Sequence, residues 1–434
     1  PAEGFPTSPP ALGPVKPLTV PPVIERKLAN GLRLLVVEHH EMPLVDVRLV
    51  VRSGAEMDPQ DRLGLATLTA GLLDEGAADR DALSIADQAA FLGVSLGASS
   101  FDLSMLSLHA PTARLDSALA LLADIALRPT FPGAELERLR EDRLTSLIQL
   151  RDRGPAIADL VFPEVLYGDS HPYGRPLTGT ETTTKAITRA DIRSFYDNFY
   201  RPNNATMIVV GDVSVDDFVR RAERLFGAWE PGPVMAPQFG PAGTAAATRV
   251  YVIDKPGAAQ SSVRVGSVGV ARSTPDYFPL LVMNNILGGS FTSRLNQNLR
   301  ETHGYTYGAG SGFAMRRSAG PFRASAEVVA AKTDSALIEF FRELRAIREV
   351  VPMAELEQAK SFLQLQLPGA FETTRDIAGQ LVPIALYDLP LDYYTTYSQR
   401  IGAVTQADVE RVARRYVDPE HMAASFAINT IGPA

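Results

Sequence analysis

The stretch VDVRLVVRSG, Val45–Gly54, returns 216 residues later as SSVRVGSVGV, Ser261–Val270. Both read as strands, and the segments after each keep step with one another. Asp116-Ser117-Ala118-Leu119 recurs as Asp334-Ser335-Ala336-Leu337. Thr188-Arg189-Ala190-Asp191 recurs as Thr405-Gln406-Ala407-Asp408. Tyr200, before RPNNATMIVVGDV, recurs as Tyr416, before VDPEHMAASFAI. The offsets stay between 216 and 218 residues. Matches in one order at one period mark an internal duplication.

Each half reads as α+β. RLLVVE, VDVRLVV, MIVVGDV and RVYVID have the alternation or β-branching of strands. Helical spacing runs over Leu63–Leu73, Leu115–Ile125, Leu136–Leu150 and Arg189–Phe199, then over Leu280–Leu287, Ser335–Arg348, Glu355–Leu365 and Ala407–Tyr416. Asp191 and Asp408 fall in first helical turns, where a carboxylate favours the positive end of the dipole. The expected fold is two homologous α+β domains, each a mainly antiparallel sheet with helices packed on one face. The expected divisions are a proline-rich arm over 1–22, a domain over 23–230, a Pro/Gly-rich linker over 231–247 and a second domain over 248–434. Eight of the first 22 residues are proline, which forbids helix or interior strand there. The composition of Pro231–Gly243 leads us to expect a hinge that lets the halves clamp.

Composition narrows the function classes. With 45% hydrophobic residues among 434, the chain can bury large cores. A net charge of -8 with no Lys/Arg run argues against a nucleic-acid binder. No apolar run approaches the roughly 18 residues of a membrane helix; LALLADIAL is broken by Asp124. Cysteine is absent, which excludes disulfides, thiolate metal sites and a cysteine nucleophile. The histidines, His39, His40, His109, His171, His303 and His421, form no pair at helical ligand spacing. Neither a GxSxG elbow nor a phosphate-binding GxxxxGK[ST] occurs.

The stretch GGSFTSRLNQNLRETHGYTYG, Gly288–Gly308, carries the candidate chemistry. Leu295 and Leu299 share a helical face, Gly304 is placed to end the helix, and Arg300 falls in its last turn. Tyr307 enters the next strand, on one face with Tyr305. The turn between can bring guanidinium and phenol together. An arginine at a helix end is favoured by the dipole alone, and a strand tyrosine often only packs. The two together, in the second copy of a duplication, favour function.

With NGLRLLVVE, GLATLTAGLLDEGA and the Tyr200-Arg201-Pro202-Asn203-Asn204 stretch, this segment resembles the pitrilysin-type peptidases, over about residues 23 to 430. The likeness is to their small bacterial members and the mitochondrial processing peptidase subunits. Mitochondrial non-catalytic subunits carry a long glycine-rich loop where only Gly288-Gly289 stand here, so the bacterial members are the nearer comparison. Active members carry HxxEH on a helix: two histidines one turn apart hold zinc, and the glutamate polarises its water. The aligned positions here are Thr67, Ala70 and Gly71, and Thr145-Ser146 replaces the Glu-Glu of the later ligand helix.

The resemblance implies a chain with no metal ligand and no cofactor of its own. It implies the non-catalytic subunit of a heterodimeric zinc metallopeptidase, inactive alone, whose homologous partner bears HxxEH and the zinc. Arg300 and Tyr307 would bind the scissile carbonyl and its oxyanion across the interface. Substrates would be unfolded peptides in a chamber to which this chain gives half the wall. The alternatives are a structural or assembly subunit of the respiratory-core type and a peptide-binding homodimer without catalysis. Gly97-Ala98-Ser99 is similar to the strand on which catalytic domains lay out substrate; without zinc it reads as an ordinary edge strand. A start at Pro1, the proline arm, absent cysteines and the bacterial likeness together point to the periplasm rather than the cytoplasm.

Overall fold

The structure is a computed structural model that describes residues 18–243 and 246–429. In the first half the strands are β1 (Ile24–Lys27), β2 (Arg33–Glu38), β3 (Leu44–Val51), β4 (Gly76–Ala77), β5 (Arg80–Asp81), β6 (Ser95–Ser100), β7 (Ser104–Pro111) and β8 (Ala205–Gly211). Its helices are α1 (Leu65–Gly71), α2 (Ala82–Leu92), α3 (Leu115–Leu127), α4 (Gly133–Leu150), α5 (Gly154–Tyr167), α6 (Glu181–Ala186), α7 (Arg189–Phe199) and α8 (Val215–Phe226). The second half adds β9 (Arg249–Asp254), β10 (Gln260–Val268), β11 (Thr306–Phe313), β12 (Pro321–Val329) and β13 (Ala423–Ile428). Its helices are α9 (Tyr277–Asn284), α10 (Arg294–Asn296), α11 (Thr333–Ala346), α12 (Met353–Gln366), α13 (Thr374–Tyr387), α14 (Tyr397–Gly402) and α15 (Gln406–Tyr416).

The duplication is visible in the topology. The first sheet runs β1-β2-β8-β3-β7-β6, and the second, read from its far edge, runs β9-β13-β10-β12-β11. From β2 onward the two match strand for strand. Each is antiparallel except for one pair, β2 with β8 and β9 with β13, and these correspond too. The repeated Thr-x-x-Asp is a helix start in both copies. Thr188 and Thr405 accept the N–H of Asp191 and Asp408, whose carboxylates accept in return from the threonine N–H.

Each sheet carries its own helices on one face. On the other face lies a single helix from the opposite half. α13 lays Ile377, Leu381 and Ile384, all 1% exposed or less, on Leu35, Val37, Val50, Ile208 and Val210 of the first sheet. At about 1.5–3 kcal/mol for each large apolar side chain, this exchange is a major part of what joins the halves. α5 lies reciprocally on β10 and β13. The central arginines of the duplicated strand meet these helices. Arg48 on β3 donates to the Arg375 carbonyl at 2.6 Å, and Arg264 on β10 donates to Asp159 of α5 at 2.8 Å.

The hairpin turn between β11 and β12 clasps the ends of both exchanged helices. Tyr167 donates to the Ala319 carbonyl at 2.9 Å and Tyr387 to the Met315 carbonyl at 3.3 Å. Arg316 forks onto Asp102 and stacks 3.6 Å above the Tyr173 ring, while Arg317 pairs with buried Glu56 at 2.5 Å. Burial pushes the Glu56 carboxyl up to about 7, and Arg317 opposes that shift. The hinge expected at Pro231–Gly243 finds no support in this packing, because the halves interlock and Phe239 itself packs on Tyr173 with ring centroids 5.0 Å apart. Of the arm expected over 1–22, residues 1–17 lie outside the described residues; Leu18 and Val20 of the arm, with Val23 just after it, pack beside the α13 interface.

Candidate functional site

α1 carries the three positions at which the sequence resemblance expects metal-binding chemistry. It begins at Gly64, whose φ of +89° and closeness to the Thr178 carbonyl leave no room for a side chain. Thr67 donates to the Gly64 carbonyl at 2.9 Å, Ala70 is buried, and Gly71 faces Leu139 of α4. Arg143, also on α4, points into this place. Its Nη1 donates to Thr67 Oγ1 at 2.8 Å, to the Gly64 carbonyl at 3.1 Å and to the Thr178 carbonyl at 3.2 Å. Burial lowers the guanidinium's pKa, and Asp58 offsets that. Asp58 caps α1, accepting the N–H of Gly64 and of Ala66 at 2.8 Å each.

These residues do not fit zinc. Side chains of threonine, alanine and glycine supply no imidazole or carboxylate, and a fixed positive charge stands against Thr67. Thr145 and Ser146 follow two and three residues after Arg143 on α4, where the Ser146 hydroxyl donates to the Asp142 carbonyl of its own helix. Among the described residues, no cluster of three or more His, Asp or Glu side chains is arranged to hold a metal. The histidines make other contacts: His40 pairs with Asp212 at 2.8 Å, His109 with Asp46 at 3.2 Å and His421 with Asp418 at 2.7 Å.

In the second half, Leu295 and Leu299 are buried and Gly304, at φ +64°, ends the helical segment, which closes as a π-type turn over Gln297–Thr302. Arg300 projects from that last turn. Its guanidinium stacks 4.3 Å over the Phe291 ring and lies 3.0 Å from Glu301, yet its buried Nη1 has no hydrogen-bond partner in good geometry. Phe291 lines a cavity of about 580 Å³ together with Gly288, Gly289, Asn296, Gly308 and Gly310. Tyr307, next to Gly308, is 91% exposed. Among the described residues no hydrogen bond joins Arg300 to Tyr307, and neither lines the cavity; each adjoins a residue that does, Phe291 for Arg300 and Gly308 for Tyr307.

Tyr305 and Tyr307 were expected on one face, and the structure separates them. Tyr305 stacks on His303 and packs against the second core. A bulge between Thr306 and Ala309 breaks the alternation. Thr306 Oγ1 donates to the carbonyl of Gly308 or of Glu327 and accepts from Gly308 N–H, turning Tyr307 outward. The edge-strand reading of Gly97-Ala98-Ser99 matches β6, which ends the first sheet.

Two family profiles match the chain, one for each half. The profile described as insulinase (peptidase family M16) matches residues 33–162, and that described as peptidase M16 inactive domain matches residues 186–363. Together they account for well over half of the chain. The chain belongs to the M16 peptidase family. An uncharacterized zinc protease of Mycobacterium leprae is 32% identical over 66% of this chain, a match that spans 64% of that relative's own length. The uncharacterized zinc protease YmxG of Bacillus subtilis is 24% identical over 88% of this chain and 92% of its own. A crystal structure of a peptidase M16 inactive domain from Pseudomonas fluorescens superposes with a TM-score of 0.89 at 29% identity, covering 95% of this chain and 99% of that one. Within M16 the chain is of the inactive type, and the pitrilysin-type resemblance read from GLATLTAGLLDEGA and LGGSFTSRLNQNLRETHGYTYG is to this family. No helix among the described residues is long and apolar enough to cross a membrane.

Proposed function

We propose that this M16 chain is the non-catalytic subunit of a two-chain zinc peptidase and supplies Arg300 and Tyr307 to a site whose metal its partner holds. The observation that carries the proposal is the exposure of Tyr307, at 91%, in a chain whose metal helix has lost every ligand. A strand tyrosine turned out by a bulge and beside a cavity serves no packing role in this chain. Arg300 is held against Phe291, its Nη1 ion-paired with Glu301 at 3.0 Å but not in a well-aligned hydrogen bond. An arginine N–H and a phenol O–H, both donors, suit a carbonyl oxygen that gains negative charge during peptide hydrolysis. Two unpaired sheet edges, β6 and β11, suit an extended peptide bound as an added strand. The setting proposed for this complex is the periplasm.

A scaffolding role is the second reading, favoured by the interlocked halves and by the ion pair that Arg300 makes with Glu301. The two readings separate in a quenched-peptide assay with zinc. We expect no turnover by this chain alone and a large gain when it is added to its HxxEH-bearing homologue. Turnover by this chain alone would refute the proposal, and a homologue equally active without it would favour the scaffold.

A further inference from the structure

Arg300 and Tyr307 stand on backbone segments that share one inner support. Between Gly289 and β11 runs a helical post, made of α10 and the π-type turn after it. Leu295 and Leu299 bury it in the second core. Arg294 ties it to Glu355 of α12 at 2.7 Å, and the Asn298 amide ties it to Glu339 and Glu343 of α11 at 2.8 and 2.6 Å. Asn296, on this post, is 3% exposed and lines the cavity of about 580 Å³.

Both ends of the Asn296 amide are used. Nδ2 donates to the Phe291 carbonyl at 2.6 Å, and Oδ1 accepts the Ala309 N–H at 3.1 Å. The first bond holds the residue whose ring carries the Arg300 guanidinium. Phe291 is 64% exposed, so packing alone holds it weakly. The second bond falls at the far end of the bulge that turns Tyr307 outward. A bulge disrupts the ladder locally and leaves backbone groups to find other partners. Here side chains meet two of them, Thr306 Oγ1 for the Gly308 N–H and Asn296 for the Ala309 N–H. A carboxamide is donor and acceptor at once, so one neutral side chain bonds a carbonyl and an N–H together. A leucine of similar size would make neither bond.

We infer that Asn296 is a positioning residue that sets Arg300 and Tyr307 relative to one another, through Phe291 at one end and the bulge at the other. Among the described residues it hydrogen-bonds to neither group itself. The inference rests on the reading of Arg300 and Tyr307 as donors to a shared site. Donors aimed before reaction stabilise developing charge without moving, so a loosened pair loses turnover rather than peptide affinity.

The test is steady-state kinetics of the assembled pair of subunits on a quenched peptide, with affinity between the subunits measured in parallel and folding checked by circular dichroism. We expect Asn296→Leu in this chain to lower kcat about tenfold or more while KM and the affinity stay within about twofold. The effect should shrink in a chain that already carries Arg300→Ala or Tyr307→Phe, because it runs through those groups. Asn296→Asp is the second variant. Its carboxylate keeps the acceptor for Ala309 and loses the donor for Phe291, so its effect should vanish beside Arg300→Ala and persist beside Tyr307→Phe. An unchanged kcat with Asn296→Leu would overturn the inference, and losses with Arg300→Ala or Tyr307→Phe alone would then leave the shared site standing. An effect undiminished in both backgrounds, or a chain that folds with neither Asn296 substitution, would also overturn it, by making Asn296 a part of the core. Turnover indifferent to Arg300→Ala and to Tyr307→Phe would remove the reading of the shared site, and this inference with it.

Discussion

Arg143 sets the chemistry of the altered helix. Its guanidinium ties α4 to Thr67 and to the start of α1, so removing it breaks these ties, although the Gly64 carbonyl keeps the Leu68 N–H and the Thr67 hydroxyl as donors. Arg143→Ala should cost about 0.5–1.5 kcal/mol in urea denaturation. Asp58 gives a pH signature from the same place. Burial pushes its carboxyl up to about 7 even though it accepts from backbone N–H groups. The unfolded carboxyl titrates near 3.9, so between about 4 and 7 the native state keeps a proton that the unfolded state has lost. The stability this proton contributes is complete below about pH 4 and is lost as pH rises through about 7. Asp58→Asn should flatten this part of the decline, which unfolding free energies at about pH 5 and pH 8 would show.

The elements that the sequence reveals best are those that bury one face. α7 and α15 announce themselves by capping box and apolar stripe, and the duplicated strands by their offset. The exchanged helices α5 and α13 are hidden from such a reading because their periodicity is faint and each holds an interior proline, Pro163 and Pro383. A signal exists: each proline stands four residues before a helix-ending tyrosine, Tyr167 and Tyr387, and Thr373 with Asp376 caps α13. Arg300 and Tyr307 are legible as a motif. The bulge that turns Tyr307 outward is not, because it depends on Thr306 bonding across to β12. Nor is Arg143, one of several arginines on α4 until packing selects it. Leu381→Ala, in the centre of the α13 interface, should destabilise by about 2–5 kcal/mol and lower the thermal midpoint.

At the scale of the molecule, reciprocal exchange makes the halves a cooperative unit. Thermal unfolding followed by near- and far-ultraviolet circular dichroism should give coincident curves, and well-separated transitions would contradict the interlock. The interlock also gives the outward-facing groups of Gly288–Gly308 a firm base. A donor held in place before reaction stabilises developing charge without reorganising. The decisive test of a shared site is turnover by the assembled pair of subunits when this chain carries Tyr307→Phe or Arg300→Ala, with affinity between the subunits measured in parallel. We expect kcat to fall roughly 100- to 1000-fold for either substitution while the affinity stays unchanged. Unchanged turnover with both substitutions would contradict a shared site and leave the chain a scaffold.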